Sequence, residues 1–183
     1  MEQYNFELDQ EMMRVLSQEF DPLKFVKSLR SLGSMDFEKI QISFENYGGN
    51  LARASIEKGE HRPDRTYEVM KKAIDKTGEM SFPFIPQRYV EIAYLSIQSF
   101  KRLRVLLNSP EVFAYRLNDC SVYQTIKKEY GEELANSMLC KSACFAMINE
   151  IFSHFGFHIK SSLEVSMASA GNCQFSVEKR ENQ

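Results

Sequence analysis

The chain has 183 residues, of which 43% are hydrophobic, 12% aromatic and 26% charged, with a formal net charge of -2. That length suits one domain with a sizeable core, and so small a net charge excludes the broad basic surface that nucleic acid or an anionic membrane requires. The acidic N-terminal MEQYNFELDQ has neither a basic nor an apolar leader segment and no apolar run reaches a membrane span, so the expectation is a cytoplasmic protein whose four cysteines stay thiols.

Leu8, Met12, Val15, Leu16 and Phe20 recur at helical spacing and predict a first amphipathic helix, loosely attached, with Glu2 and Glu7 near its start. Asp21-Pro22 then begins a short helix that runs through Phe25, Val26 and Leu29 and stops at Gly33. Asp36 caps a long third helix ending near Gly59, with Gly48-Gly49 inside it. A helical glycine costs about 1 kcal/mol against alanine, so the pair is expected to bend the helix or admit another backbone. No strand precedes it and no Lys-Ser/Thr follows it, which sets aside a phosphate-cradling loop.

Asp64 caps a fourth helix that stops at Gly78. The two prolines of Phe82-Pro83-Phe84-Ile85-Pro86 predict an extended connector, followed by a helix through Val90, Tyr94, Ile97 and Phe100. The runs 103–107 and 112–117 are β-rich and are separated by Asn108-Ser109-Pro110-Glu111, which predicts a hairpin with Phe113, Tyr115 and Leu117 on one face. Lys101, Arg102 and Arg104 form a local basic spot, read here as a solvated helix end and strand face rather than a phosphate site. Ser121 is expected to cap a short helix through Val122, Ile126 and Tyr130.

From Leu134 the spacing of Cys140, Cys144, Met147, Ile151 and Phe155 predicts one long buried helix that ends at Gly156. Phe157 to Val165 and Cys173 to Val177 alternate as half-buried strands joined by a short turn containing Gly171-Asn172. The fold class expected is α+β: a helical N-terminal half, then a four-stranded antiparallel sheet of two hairpins packed against helices.

The order of a helix feeding a hairpin, a helix with a buried cysteine, then Glu164-x-x-Met167-x-x-x-Gly171 and Cys173-x-Phe175 resembles the vinyl-4-reductase domain. That domain shares its fold with transport-particle small subunits and aromatic-effector sensor domains. The resemblance spans residues 47–180 of a chain read as one domain, 1–183, with residues 1–35 as N-terminal helices available for dimerisation. It implies a small-molecule-binding module, a homodimer, and a structural zinc held by Cys140, Glu164 and Cys173. Cys144, one helical turn from Cys140, is a further ligand or the competing choice for the helix cysteine. Met167 stands where the pattern has another cysteine, the turn from Gly171 to Cys173 is two residues shorter than in the family, and a thioether is a poor zinc ligand. The same cysteines also suit an ordinary core.

The function expected is a sensory module with an apolar pocket formed by Tyr94, Phe100, Phe113 and Tyr115, taking an apolar or aromatic small molecule and signalling through a homodimer or a partner protein. Two alternatives remain open. One is an enzyme resembling amino-thiazoline-carboxylate hydrolases, with Cys120 and Cys140 as the residues to suspect. The other is a structural adaptor using exposed apolar residues of the N-terminal helices. His61, His154 and His158 show no spacing that would pair them with a cysteine nucleophile.

Overall fold

Helices α1 (Gln10–Glu19), α2 (Pro22–Ser28), α3 (Phe37–Glu60) and α4 (Arg65–Thr77) each begin behind an aspartate whose carboxylate accepts a hydrogen bond from a first-turn N–H. Asp9 accepts from Met12 at 2.7 Å, Asp21 from Leu23 at 2.8 Å, Asp36 from Glu38 at 3.1 Å and Asp64 from Tyr67 at 2.9 Å. These carboxylates satisfy donors that the helices themselves leave unpaired. The structure, a computed structural model, describes residues 8–32, 36–98 and 102–180. Glu2, Glu7, Gly33, Phe100 and Lys101 lie outside the described residues.

A 3-10 turn (Leu29–Leu32) follows α2. After α4 closes on the left-handed Gly78, α5 (Phe84–Ile97) starts earlier than the prolines suggest. Pro86 sits in the first turn of α5, where its missing N–H has no helical partner to lose, so the expected extended connector is instead a helix start. Strands β1 (Leu103–Asn108) and β2 (Val112–Asn118) form the predicted hairpin. Then come α6 (Ser121–Tyr130), α7 (Glu132–Asn136), α8 (Lys141–His154), β3 (Ile159–Val165), α9 (Met167–Ala170) and β4 (Asn172–Lys179). The sheet is antiparallel throughout in the order β1-β2-β4-β3, so the fold is α+β as expected.

Three local expectations are corrected. The helix read from Leu134 is two helices, because Met138 takes a left-handed φ of 56° between α7 and α8. Short-range bonds such as Lys141 N–H to Met138 C=O at 3.0 Å and Ala143 N–H to Cys140 C=O at 3.1 Å keep near-helical spacing through the bend, so periodicity alone did not reveal it. Cys140 therefore stands at the N-cap of α8. Cys120, not Ser121, is the N-cap of α6; the Ser121 N–H donates to Gln98 Oε1 at 3.1 Å and its hydroxyl accepts from Arg102 at 2.6 Å. Between β3 and β4 the chain makes the one-turn α9, closed by a reciprocal Ser166–Ser169 cap, in place of a short turn.

The inner face of the sheet carries Phe113, Tyr115 and Leu117 from β2 and Cys173, Phe175 and Val177 from β4, all buried. Tyr115 stacks on Phe175 with ring centroids 5.3 Å apart. Phe152 of α8 and Tyr94 of α5 close over this layer at 6.4 and 5.5 Å. Helix α1 is not loosely held: Met12 and Leu16 are fully buried within the chain's own core.

Helices α3 and α8 meet backbone to backbone. A Cβ on Gly48 would stand 1.9 Å from the carbonyl oxygen of Ala143, whereas one on Gly49 would meet only the flexible end of Arg53 at 3.6 Å. The glycine pair thus admits another backbone at one position only. Gly48→Ala is expected to destabilise by about 3 kcal/mol through forced separation of the helices, and Gly49→Ala to be neutral or stabilising by about 0.5–1 kcal/mol through helix propensity. Denaturant unfolding of the two variants measures the contrast.

A buried ion pair ties α5 to the start of α4. Arg88 donates through Nε to Asp64, reaches the Arg62 carbonyl at 3.2 Å and lies 4.7 Å over the Tyr67 ring. Both side chains are 7% exposed. Asp64→Ala removes a cap and leaves a buried guanidinium unpaired, so a loss of about 3–5 kcal/mol is expected. Asp64→Leu combined with Arg88→Met should lose less than Asp64→Ala alone, checked by calorimetric unfolding.

Candidate functional site

Because Gly48 lets α8 approach α3, the side chains one turn further along face each other across a small gap above the sheet. Tyr47 and Leu51 of α3, Tyr94 of α5 and Cys144 and Met147 of α8 form its walls. Leu117, Cys173 and Phe175 form the floor, and Cys120, Tyr123, Met138 and Cys140 close the end. The cavity measures about 40 Å³. Lined almost wholly by apolar groups, it suits a small apolar occupant rather than a cluster of ordered water.

Of the polar groups at its edge, Lys141 stands exposed at the rim and the others are engaged within the protein. The hydroxyls of Tyr94 and Tyr115 are 3.0 Å apart, Tyr47 donates away from the cavity to the Phe20 carbonyl at 2.7 Å, and Gln98 accepts from Ser121 while its amide lies 3.9 Å from Cys120 Sγ. Burial raises both tyrosine hydroxyls, Tyr94 and Tyr115, well above the usual phenol range.

All four cysteines are free thiols and all four line this cavity. Burial is the main cause that raises each of them; neighbouring cysteines add to it for Cys140, Cys144 and Cys173, whereas hydrogen bonds and Arg102 partly offset it for Cys120, and Cys173 is pushed up to about 11. Thiols held protonated in this way are poor nucleophiles. None of the three histidines lines the cavity. His61 binds the Glu57 carbonyl through Nδ1 at 2.7 Å, and His154 lies 3.9 Å from the Glu60 carboxylate, so the cavity holds no cysteine–histidine pair.

Of the four residues expected to form a pocket, Tyr94 lines the cavity and Tyr115 backs it through the shared hydroxyl contact. Phe113 is buried further along β2 against Phe152, and Phe100 lies outside the described residues. The zinc set is not brought together. Cys140, Cys144 and Cys173 reach the cavity, but Glu164 is exposed and bonds to Ser162 on the outer side of β3, while Cys173 faces the helices from β4. Met167 is buried in α9. Among the described residues, no three His, Cys, Asp or Glu side chains are grouped to hold a metal ion. The residues present therefore do not fit the structural zinc that the resemblance implies. Tyr123 and Met138 join the site without a local sequence signal, because the fold of α6 and the bend at Met138 bring them there, whereas Leu117 follows from the alternation of β2.

No protein-family model and no curated protein matches the chain. Among solved structures it is similar to the Fe(II) unliganded H-NOX protein from K. algicida, crystallised as a single-substitution variant, with 14% identity, a TM-score of 0.35 and 94% of each chain covered. At that identity and score the likeness assigns neither family nor activity, and the vinyl-4-reductase resemblance rests on its short motifs alone.

Since the folded chain holds Cys173 protonated up to about 11 while an unfolded thiol ionises near 9.0, its contribution to stability is complete below pH 9 and is lost as pH rises from 9 to 11. Denaturant midpoints are expected to fall across that window, with part of the fall removed in Cys173→Ser. Disulfide-exchange reagents at neutral pH should label the native thiols far more slowly than the denatured ones.

Proposed function

We infer that the chain is a small-molecule-binding sensory module in which a compact apolar ligand occupies the cavity between α3, α5, α8 and the sheet. The observation that carries this reading is one apolar cavity lined by aromatic rings, methionines and protonated thiols, with its tyrosine and glutamine groups already hydrogen-bonded to protein and Lys141 at its rim. A site whose interior offers a ligand almost no polar surface selects by size and apolarity. The chemistry is binding rather than turnover, since raised thiols and the missing histidine leave no activated nucleophile.

The proposal includes one domain in a cytoplasmic setting that keeps the thiols reduced. Output would pass through a homodimer or a partner protein, for which exposed Leu23, Phe37 and Ile42 on the N-terminal helices offer apolar surface. No helix among the described residues is long and apolar enough to cross a membrane.

Xenon serves as the probe. Methyl resonances of Leu51, Leu117 and Met147 should shift saturably with it, and Cys173→Leu, which fills the floor, should abolish the response while remaining folded. Absence of any shift at these methyls, or an equal shift in the filled variant, would remove the cavity as a binding site.

A further inference from the structure

The outer face of the sheet, opposite the cavity, carries a charge arrangement that the binding reading does not use. Arg104 of β1 and Arg116 of β2 are direct cross-strand partners. Directly opposed like charges destabilise a sheet unless something compensates them. Among the described residues neither guanidinium has a carboxylate within ion-pairing distance. Arg116 donates to Gln174 Oε1 at 3.0 Å, and its Nε is buried with no partner at all.

The neighbouring charges are accounted for elsewhere. Arg102 lies 3.1 Å from Asp119, and Lys160 and Glu178 oppose one another across β3 and β4. Glu164 stands on β3, separated from Arg116 by the whole of β4, and is bonded to Ser162. With strands about 4.8 Å apart, that places it on the order of 10 Å away. The row next to the arginines along the strands holds Leu107, exposed at the β1 edge, and the small cross-strand partners Ala114 and Ser176, which leave space beside Arg116 and Gln174.

We propose that Arg104, Arg116 and Gln174 form an oxyanion site on the open face of the sheet, shaped for a phosphate group. Two guanidinium forks from separate strands supply more donors than one carboxylate accepts, and a phosphate dianion, with its additional oxygens, takes both. Its charge also compensates the opposed arginines. The group recognised is the phosphate itself, whether free or carried as a monoester on a small molecule. The site is independent of the cavity, so either stands if the other fails.

Inorganic phosphate titrated into the full-length chain, against sodium chloride of matched ionic strength, tests this. Amide resonances of residues 104, 116 and 174 should shift saturably with phosphate and not with chloride, with a rise in unfolding midpoint. Arg104→Gln and Arg116→Gln should each weaken the apparent affinity about tenfold. In chloride both variants should unfold at or above the wild-type midpoint, since each relieves the opposed charges. Phenyl phosphate binding that competes with inorganic phosphate would place an ester at the same site. A non-saturable response, an equal response to chloride, or unchanged affinity in both variants would overturn the proposal and leave the arginines as a solvated face.

Discussion

The contact between Gly48 and the Ala143 carbonyl sets the separation of α3 and α8, and most of the interior follows from that separation. With no Cβ between them, the two backbones approach as closely as peptide groups allow. Cys144 and Met147 are thereby brought opposite Tyr47 and Leu51, and the gap left beyond the contact is the cavity. A larger residue at Gly48 would move α8, and with it the wall of the site and the ring of Phe152 that rests on the sheet. Packing and the candidate function thus depend on the same missing methyl group.

The sheet divides two kinds of chemistry between its faces, because successive residues of a strand point to opposite sides. Tyr115, Leu117, Cys173 and Phe175 turn toward the helices, where burial keeps hydroxyls and thiols protonated. Arg104, Arg116 and Gln174 turn the other way, with Arg104 exposed and Arg116 half-buried. The same alternation places Glu164 outside while Cys173 faces inward, which is why a ligand set drawn from sequence motifs is not assembled in space. Four thiols around one cavity make it soft and polarizable without making it reactive.

The buried pair of Arg88 and Asp64 plays a different part. It fixes the end of α3, the start of α4 and the middle of α5 around a single guanidinium that also reaches the carbonyls of Gly59 and Arg62. Tyr67 and Tyr89 flank that charge at 4.7 and 5.1 Å and shield it from water. Tyr94, which lines the cavity, belongs to the same helix, so this polar junction also holds one wall of the site in place.

How much of this was legible before folding varies with the range of the interaction concerned. Local chemistry was readable: aspartates capping α2, α3 and α4, glycine closing α4, the Asn108–Glu111 turn, and the alternation that separates the two faces of β2 and β4. The same reading misplaced the start of α5 and missed the bend at Met138, since a proline fits a first helical turn as well as an extended link, and three-residue turns preserve helical spacing. The sequence by itself determined the α+β class and the antiparallel sheet, both set by periodicities of a few residues. Only the tertiary structure decided that Cys120, Cys140, Cys144 and Cys173 share one cavity, that Glu164 lies outside it, and that Arg104 faces Arg116. Those relations depend on helix crossing and strand register between segments far apart in the chain, which no local pattern encodes.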